Sequence, residues 1–185
     1  MTVHAGPRLL PLPATGNPAA VQELLDDIEL NGGAPAMNWF RTIAHAGGLL
    51  RRYRGFGAKL LSAGRLSARI REIVVLRTAS RCGCAYELAH HRPIAAAVGL
   101  TDAEVDAICG FDLPDPLGSA TENALLRAVD QLCSEHTVGD PEWALLAGTH
   151  PSEELVELLF LVGHYVMVAG VMNALGVEIE RYGTS

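Results

Sequence analysis

The sequence predicts an all-α protein, and three features indicate this class. Apolar residues make up 49% of the 185 residues, whereas aromatic residues make up only 5%. Long runs of Ala, Leu and Val are broken by Gly and Pro, which suits packed helices better than the β-branched and aromatic alternation of strands. Several segments also repeat apolar residues at helical spacing. The length fits one domain of ordinary size.

The first half of the chain predicts an arm and four helices. Residues 1–18 are rich in Pro and Gly and indicate an extended N-terminal arm, and residues 19–185 indicate a single helical domain. Asn17 and Pro18 suit the N-cap and the first position of the first helix. The other three helices are expected over residues 35–45, 49–63 and 66–81.

Capping and turn residues mark the helices that follow. Gly83 separates a helix that begins at its N-cap, Ser67, from a helix that starts near Cys84. This later helix is expected to bend or restart at Pro93 and to end at Gly99. Further helices are expected from a capping box at Thr101 and over residues 120–135, 141–148 and 152–176, with a connecting loop over residues 110–119.

The net charge of −7 is spread unevenly along the chain. Eight Arg or Lys and no Asp or Glu lie between Leu30 and Arg71, whereas residues 101–180 carry fifteen acids and one base. The acidic remainder opposes the long-range field that phosphate binding needs, so no nucleic-acid partner is expected. The basic stretch is expected in solvated helix faces or in ion pairs between segments or subunits. A contact between one of its arginines and an anionic substrate remains open.

The cysteines and the N-terminus indicate a cytoplasmic protein. The four cysteines are Cys82, Cys84, Cys109 and Cys133. Pro and Arg occupy positions near the N-terminus where a secretory signal would need an apolar run. The thiols are therefore expected to be mostly reduced, without a disulfide framework.

Residues 158–177 are long and apolar enough to raise the question of a membrane span. These twenty residues carry no formal charge. His164, Asn173, three glycines and acidic flanks speak against a span. We therefore expect a buried core helix or a subunit-interface helix, and no membrane association.

Spacing brings several reactive side chains onto one helix face. Cys84, Glu87 and His91 stand at i, i+3 and i+7, and a helix hairpin at Gly83 could bring Glu72 towards them. Crowded carboxyl groups in an apolar environment differ in proton affinity, so one can act as an acid and another as a base. A cysteine at a helix start has its thiolate favoured.

Purely structural interpretations of the same residues remain open. Glu87 and His91 could be a surface pair, Cys84 a small buried apolar residue, and Glu72 a surface residue beside Arg71. A metal site is not expected, because the Glu-x-x-His pair at residues 87–90 has no second copy and the cysteine spacing differs from that of zinc sites. No cofactor is expected either.

Two parts of the sequence resemble a known family. The first runs from Glu72 through Cys84-Ala-Tyr-Glu-Leu-Ala-His-His91 to Gly99-Leu100, and the second is the mostly apolar stretch of residues 155–177. Both resemble the carboxymuconolactone decarboxylase and alkylhydroperoxidase D (AhpD-like) superfamily. The likeness covers about residues 35–180 and is specific over residues 70–100. It implies an all-helical fold built round a helix hairpin. It also implies a homo-oligomer (dimer, trimer or hexamer) with active sites near subunit contacts.

The resemblance implies different chemistry in two branches of the superfamily. In the peroxidase branch, Glu72, Cys84 and His91 match the motif, but Glu87 stands where a second cysteine resolves the oxidised first one. Cys109 or an external thiol could replace it, whereas a bond from Cys82 to Cys84 would be strained. The Tyr-Glu and His-His pairs instead resemble decarboxylase-like members.

Three functions remain open from the sequence. In the preferred one, a cofactor-independent acid/base enzyme, Glu87 and His91 exchange a proton with a small anionic organic substrate, and Glu72 orients them. Tyr86, His90 and His164 are expected to contact the substrate, although a histidine in the position of His164 is more often a core residue. The second is a thiol hydroperoxide reductase that uses Cys84. The third is a non-catalytic helical assembly protein.

Overall fold

The computed structural model describes residues 6–32, 37–110 and 115–180, and within them the chain forms nine α-helices, one short 3-10 helix and no strand. The all-α prediction is confirmed for this part of the chain. In chain order the helices are α1 Ala19–Gly32, α2 Asn38–Ile43, α3 Gly47–Leu61, α4 Ala68–Arg81, α5 Ala85–Ala97, α6 Asp102–Cys109, α7 Ala120–Glu135, α8 Asp140–Thr149 and α9 Ser152–Leu175, with the 3-10 helix at Ala44–Ala46.

The caps predicted at Ser67 and Thr101 agree with the structure, whereas α1 begins at Ala19, so Pro18 precedes the helix instead of occupying its first position. The Ser67 hydroxyl accepts a hydrogen bond from Ile70 N–H at the start of α4. Thr101 and Glu104 form the expected reciprocal capping box at the start of α6. The expected restart at Pro93 does not occur: α5 continues through it, because its packing against α4 compensates for one missing N–H donor. Pro35 and residues 111–114 of the connecting loop lie outside the described residues.

The chain divides into two compact units, residues 1–59 with 171–185, and residues 60–170. In the first unit, residues 6–18 of the predicted arm contain no helix. Arg8 N–H donates to Leu175 O at 2.8 Å, and Leu12 N–H donates to Arg41 O at 3.1 Å. The core of this unit is formed by Leu24, Leu25, Ile28, Ala44 and Leu50. The division into an arm over 1–18 and a single domain over 19–185 stays a prediction.

In the second unit, α4 is the central helix and packs against α5, α6 and α7. Every residue from Glu72 to Ala79 is buried. The buried Arg77 donates two hydrogen bonds to Asp130, both of 2.7 Å, and a third to Ile108 O at 2.8 Å. These bonds compensate for the loss of water around the guanidinium group. All the residues of the candidate site lie in this unit.

The apolar helix α9 is the one described helix that is long and apolar enough to cross a membrane, and half of its most apolar stretch is buried. Core helices of soluble proteins meet the same criteria. Leu161 and Tyr165 of this helix lie in the core of the second unit. The expectation of a core or interface helix therefore stays a prediction, with these buried residues in its favour.

Candidate active site

The turn between α4 and α5 sets the geometry of the site. Gly83 has a φ of +60°, a left-handed conformation that favours Gly, and Cys84 follows in an extended conformation as the N-cap of α5. Cys84 N–H donates to Ala79 O at 2.9 Å. This bond ties the start of α5 back onto α4, so the two helices form the predicted hairpin.

A buried hydrogen-bond chain crosses the hairpin and reaches α9. Glu72 Oε2 lies 2.8 Å from His91 Nδ1, and His91 Nε2 lies 3.0 Å from the hydroxyl of Tyr165. When Glu72 is ionised, Nδ1 carries the ring proton and Nε2 accepts from the Tyr165 O–H. Glu72 is 2% exposed and Tyr165 is 4% exposed, so this hydrogen-bond chain is shielded from water. Shielding strengthens such a network.

A positive charge lies at the other side of the Glu72 carboxyl group. Arg71 Nε is 3.9 Å from Glu72 Oε1, and the Arg71 side chain is 16% exposed. Of the two residues, only Arg71 reaches appreciably to the surface. Arg71 is therefore a partly exposed positive charge next to the buried hydrogen-bond chain.

Glu87 is the second buried carboxyl group of the site, and it is held as an acid. Burial raises its pKa to about 8, the neighbouring Cys84 thiol opposes this rise, and the charge of Cys82 adds to it. Neither carboxyl oxygen has a partner at standard hydrogen-bond geometry among the described residues. At neutral pH most Glu87 side chains therefore keep their proton and have unused hydrogen-bonding capacity in the interior.

The surroundings of Cys84 differ from those expected. Cys84 is fully buried, and burial, followed by the charge of Glu87, raises the pKa of its thiol to about 12. The sequence-based expectation that the helix start favours the thiolate is therefore wrong. Backbone N–H groups of Glu87 and Tyr86 do lower this pKa, but the loss of water outweighs them.

The four predicted catalytic residues form two contacting pairs. Glu72 contacts His91 across the hairpin, and Cys84 contacts Glu87 within the first turn of α5. Glu87 and His91 stand at i and i+4 on α5, so their side chains project from the same helix face. The face predicted from sequence spacing therefore exists, although the catalytic role of these residues stays a prediction.

The three predicted substrate-contacting residues occupy two different places: Tyr86 and His90 lie on α5, and His164 lies on α9. Tyr86 and His90 stack on each other at 4.2 Å between ring centroids, about 100° round α5 from Glu87 and His91. His164 is buried against the ring of Tyr165, and burial lowers its pKa to about 4. His164 is therefore a neutral histidine one ring away from the hydrogen-bond chain. Substrate contact by these three residues stays a prediction.

Tyr165 is the member of the site that sequence reasoning missed. It falls in the buried row of α9 with Leu158, Leu161 and Val168. A tyrosine in such a row needs a partner for its hydroxyl group, and this signal was available from the sequence.

No group of three or more His, Cys, Asp or Glu side chains within the described ranges has the arrangement of a metal site. The expectation that the protein uses no metal stays a prediction.

Solved structures of several proteins are similar to this one, including the following three. One is an uncharacterized peroxidase-related protein from a Silicibacter species, with a TM-score of 0.78 and 17% identity over 97% of this chain and 95% of that chain. Another, from Ralstonia eutropha, is described as an alkylhydroperoxidase AhpD core and a peroxidase-related protein, with a TM-score of 0.74 and 18% identity over 93% of each chain.

The third is the debrominase Bmp8, with a TM-score of 0.74 and 18% identity over 93% of this chain and 91% of that chain. A cysteine-to-alanine variant of that enzyme has been solved with 2,3,4-tribromopyrrole. At these identities the likeness shows a shared fold. No curated protein sequence matches the chain.

Fold and site together define an all-helical protein whose central hairpin carries a buried Glu–His–Tyr chain beside a Cys–Glu pair. Residues 47–131, which include the hairpin, match the model of the carboxymuconolactone decarboxylase family. The resemblance read from the sequence is therefore confirmed for residues 47–131, and the fold is shared with the AhpD core structure.

Proposed function

We propose that the protein is a carboxymuconolactone decarboxylase-like enzyme that performs cofactor-independent acid/base chemistry on a small anionic organic substrate. The observation that carries this proposal is the buried carboxyl group of Glu87. Burial raises its pKa to about 8, and it stands one turn before His91 on the same face of α5. An acid whose pKa lies near the working pH is well suited to proton transfer.

Glu87 is the acid in this proposal. In a decarboxylation the bond to the carboxylate carbon breaks, CO₂ leaves, and the electron pair stays on the substrate carbon. Glu87 gives its proton to that carbon and is then reprotonated from solvent. Arg71 is the basic side chain placed to attract the anionic substrate.

His91 acts through Tyr165 in this proposal. Both of its ring nitrogens are engaged, Nδ1 by Glu72 and Nε2 by Tyr165. Where the substrate loses a proton before its C–C bond breaks, Tyr165 takes that proton and passes its own to His91. Glu72 stabilises the resulting imidazolium, which releases the proton to solvent after CO₂ has left. This route replaces the direct exchange between His91 and substrate that spacing suggested.

A panel of small carboxylated lactones and 3-keto acids tests the proposal, with CO₂ release and deuterium uptake from D₂O as readouts. We expect Glu87→Gln to lower turnover by roughly 100-fold or more, because the amide cannot donate the proton in the same way. Cys84→Ser should retain activity within a few-fold. Glu104→Gln, at a partly buried glutamate in the first turn of α6 and outside the site, is the matched control. Retained activity in Glu87→Gln with an inactive Cys84→Ser would overturn the assignment.

Hydroperoxide reduction by Cys84 is the second candidate, favoured by the descriptions of two similar structures as peroxidase-related proteins. The raised pKa of Cys84 and the glutamate at position 87 stand against it. Turnover of cumene hydroperoxide that disappears in Cys84→Ser would favour this candidate. Inactivity in both assays, with the fold intact, would favour the non-catalytic assembly protein.

A further inference from the structure

A second pair of thiols lies outside the Glu72–His91–Tyr165 chain. Cys82 is the C-cap of α4, and Cys133 lies in the last turn of α7. Asp130, one turn before Cys133, forms ion pairs with both Arg77 and Arg81 of α4. These ion pairs hold the end of α4 against α7, so Cys82 and Cys133 are brought together.

The two thiols interact directly. The Cys133 thiol forms a hydrogen bond with Cys82, and this bond lowers the pKa of Cys82 to about 7. The same contact and burial raise the pKa of Cys133. Both residues are only partly buried, and neither forms a disulfide. The hydrogen bond between the two sulfurs favours ionisation of Cys82 over Cys133, and both residues are partly exposed.

We propose that Cys82 and Cys133 form a dithiol/disulfide couple that small hydroperoxides oxidise. In the first step the Cys82 thiolate attacks a hydroperoxide, the S–O bond forms and the O–O bond breaks. The alcohol leaves with a proton from solvent, and Cys82 becomes a sulfenic acid. The sulfur of Cys133 then attacks Cys82, the S–S bond forms, and the hydroxyl group leaves as water with the Cys133 proton. Two thiols and one hydroperoxide give one disulfide, one alcohol and one water.

This couple is separate from the proposed acid/base chemistry and does not depend on it. Cys84, only two residues from Cys82, is fully buried and its thiol has a high pKa, so it is not expected to take part. Cys109 is partly buried like Cys82, but burial raises the pKa of its thiol. Cys109 is therefore a matched internal control for accessibility.

The test is limited oxidation of the full-length reduced protein with hydrogen peroxide at neutral pH. Alkylation, digestion without reductant and mass spectrometry then identify the products. We expect a Cys82–Cys133 crosslinked peptide, with Cys84 and Cys109 still reduced. Cys82 should be consumed roughly tenfold or more faster than Cys109, because far more of it is thiolate.

Three variants separate the steps. Cys133→Ser should accumulate a dimedone-reactive sulfenic acid at Cys82, Cys82→Ser should leave Cys133 reduced, and Cys109→Ser should form the disulfide as the wild type does. Circular dichroism checks that each variant is folded. A persistent sulfenic acid in the wild type, a disulfide to any other cysteine, or oxidation of Cys82 no faster than that of Cys109 would overturn the proposal.

Discussion

Glu72 and Glu87 are both buried, yet the polar groups around their carboxyl groups differ. Glu72 has His91 at 2.8 Å and Arg71 at 3.9 Å, so positive or proton-donating groups face it. Glu87 has a thiol as its polar neighbour and a raised pKa. Such a division between neighbouring carboxyl groups is the usual basis for separate acid and base roles.

The raised pKa of Glu87 predicts how stability depends on pH. Between pH 4.5 and 8 the carboxyl group is ionised in the unfolded chain but protonated in the folded protein. Its contribution therefore lowers the free energy of unfolding as pH rises, by about 1.4 kcal/mol per pH unit at most. Glu87→Gln should remove this pH-dependent loss of stability, so the free energy of unfolding of the variant should rise relative to that of the wild type as the pH approaches 8. Urea unfolding at several pH values measures the difference, and Glu104→Gln should show no such gain over this range.

Tyr165→Phe tests the end of the hydrogen-bond chain. The change removes the hydroxyl from His91 Nε2 while the ring keeps its packing, so we expect about 1 kcal/mol loss of stability. Turnover of an active panel compound should fall roughly tenfold or more. Tyr53→Phe, which removes the acceptor for Trp39 Nε1 in the other unit, is the matched control. Equal turnover in the two variants would contradict a role for Tyr165.

At the level of elements, the hairpin from α4 to α5 positions the site, and Gly83 makes its turn. A Cβ at Gly83 would meet no atom within 4 Å, so the cost of Gly83→Ala comes from its φ of +60° alone. We expect a loss of about 1 kcal/mol in urea unfolding. Gly83→Asn should cost less, since Asn tolerates this conformation. An alanine variant as stable as the wild type would contradict the assigned turn.

Local sequence signals predicted the elements well and the contacts between them only in part. Ser67 and Thr101 act at short range, so their caps could be read from the sequence. The hydrogen bond from His91 to Tyr165 and the thiol pair of Cys82 with Cys133 join residues far apart in the chain. Spacing carries no information about such pairs. Burial of Cys84 was likewise invisible, because it depends on how several helices pack.

At the level of the whole molecule, ion pairs explain the uneven charge. Arg69 of the basic stretch pairs with Glu104 and Glu122, and Arg65 pairs with Glu153. The expectation of ion pairs between segments is confirmed for these residues. Arg69 also bridges the first turns of α6 and α7, so the acidic second half supplies partners for the basic first half. Exclusion of nucleic acid as a partner stays a prediction.

The exposed side of α9 predicts self-association. Val156, Phe160 and Met167 are 51–57% exposed, and with the exposed Gly163 they repeat at intervals of four and three residues. An apolar row of this kind is typical of a helix that packs against another helix. We therefore propose a homo-oligomer that contacts through this row.

Sedimentation velocity measures the assembly. The wild type should be larger than a monomer, and Met167→Glu should dissociate it. Leu30→Glu, at an exposed leucine of α1, should have no effect. The proposal would be contradicted by a wild type that sediments as a monomer. It would also be contradicted by a wild type that binds phospholipid vesicles through α9.

Measuring the ionisation of Glu87 tests whether this buried carboxyl group is an acid at neutral pH. Carbon-13 NMR of protein labelled at glutamate side-chain carboxyl groups follows each titration, and Glu87→Gln assigns the signal. We expect a midpoint near pH 8 for Glu87, because burial disfavours its ionised form. A midpoint near the ordinary value of 4.5 would contradict a carboxyl group held as an acid at neutral pH.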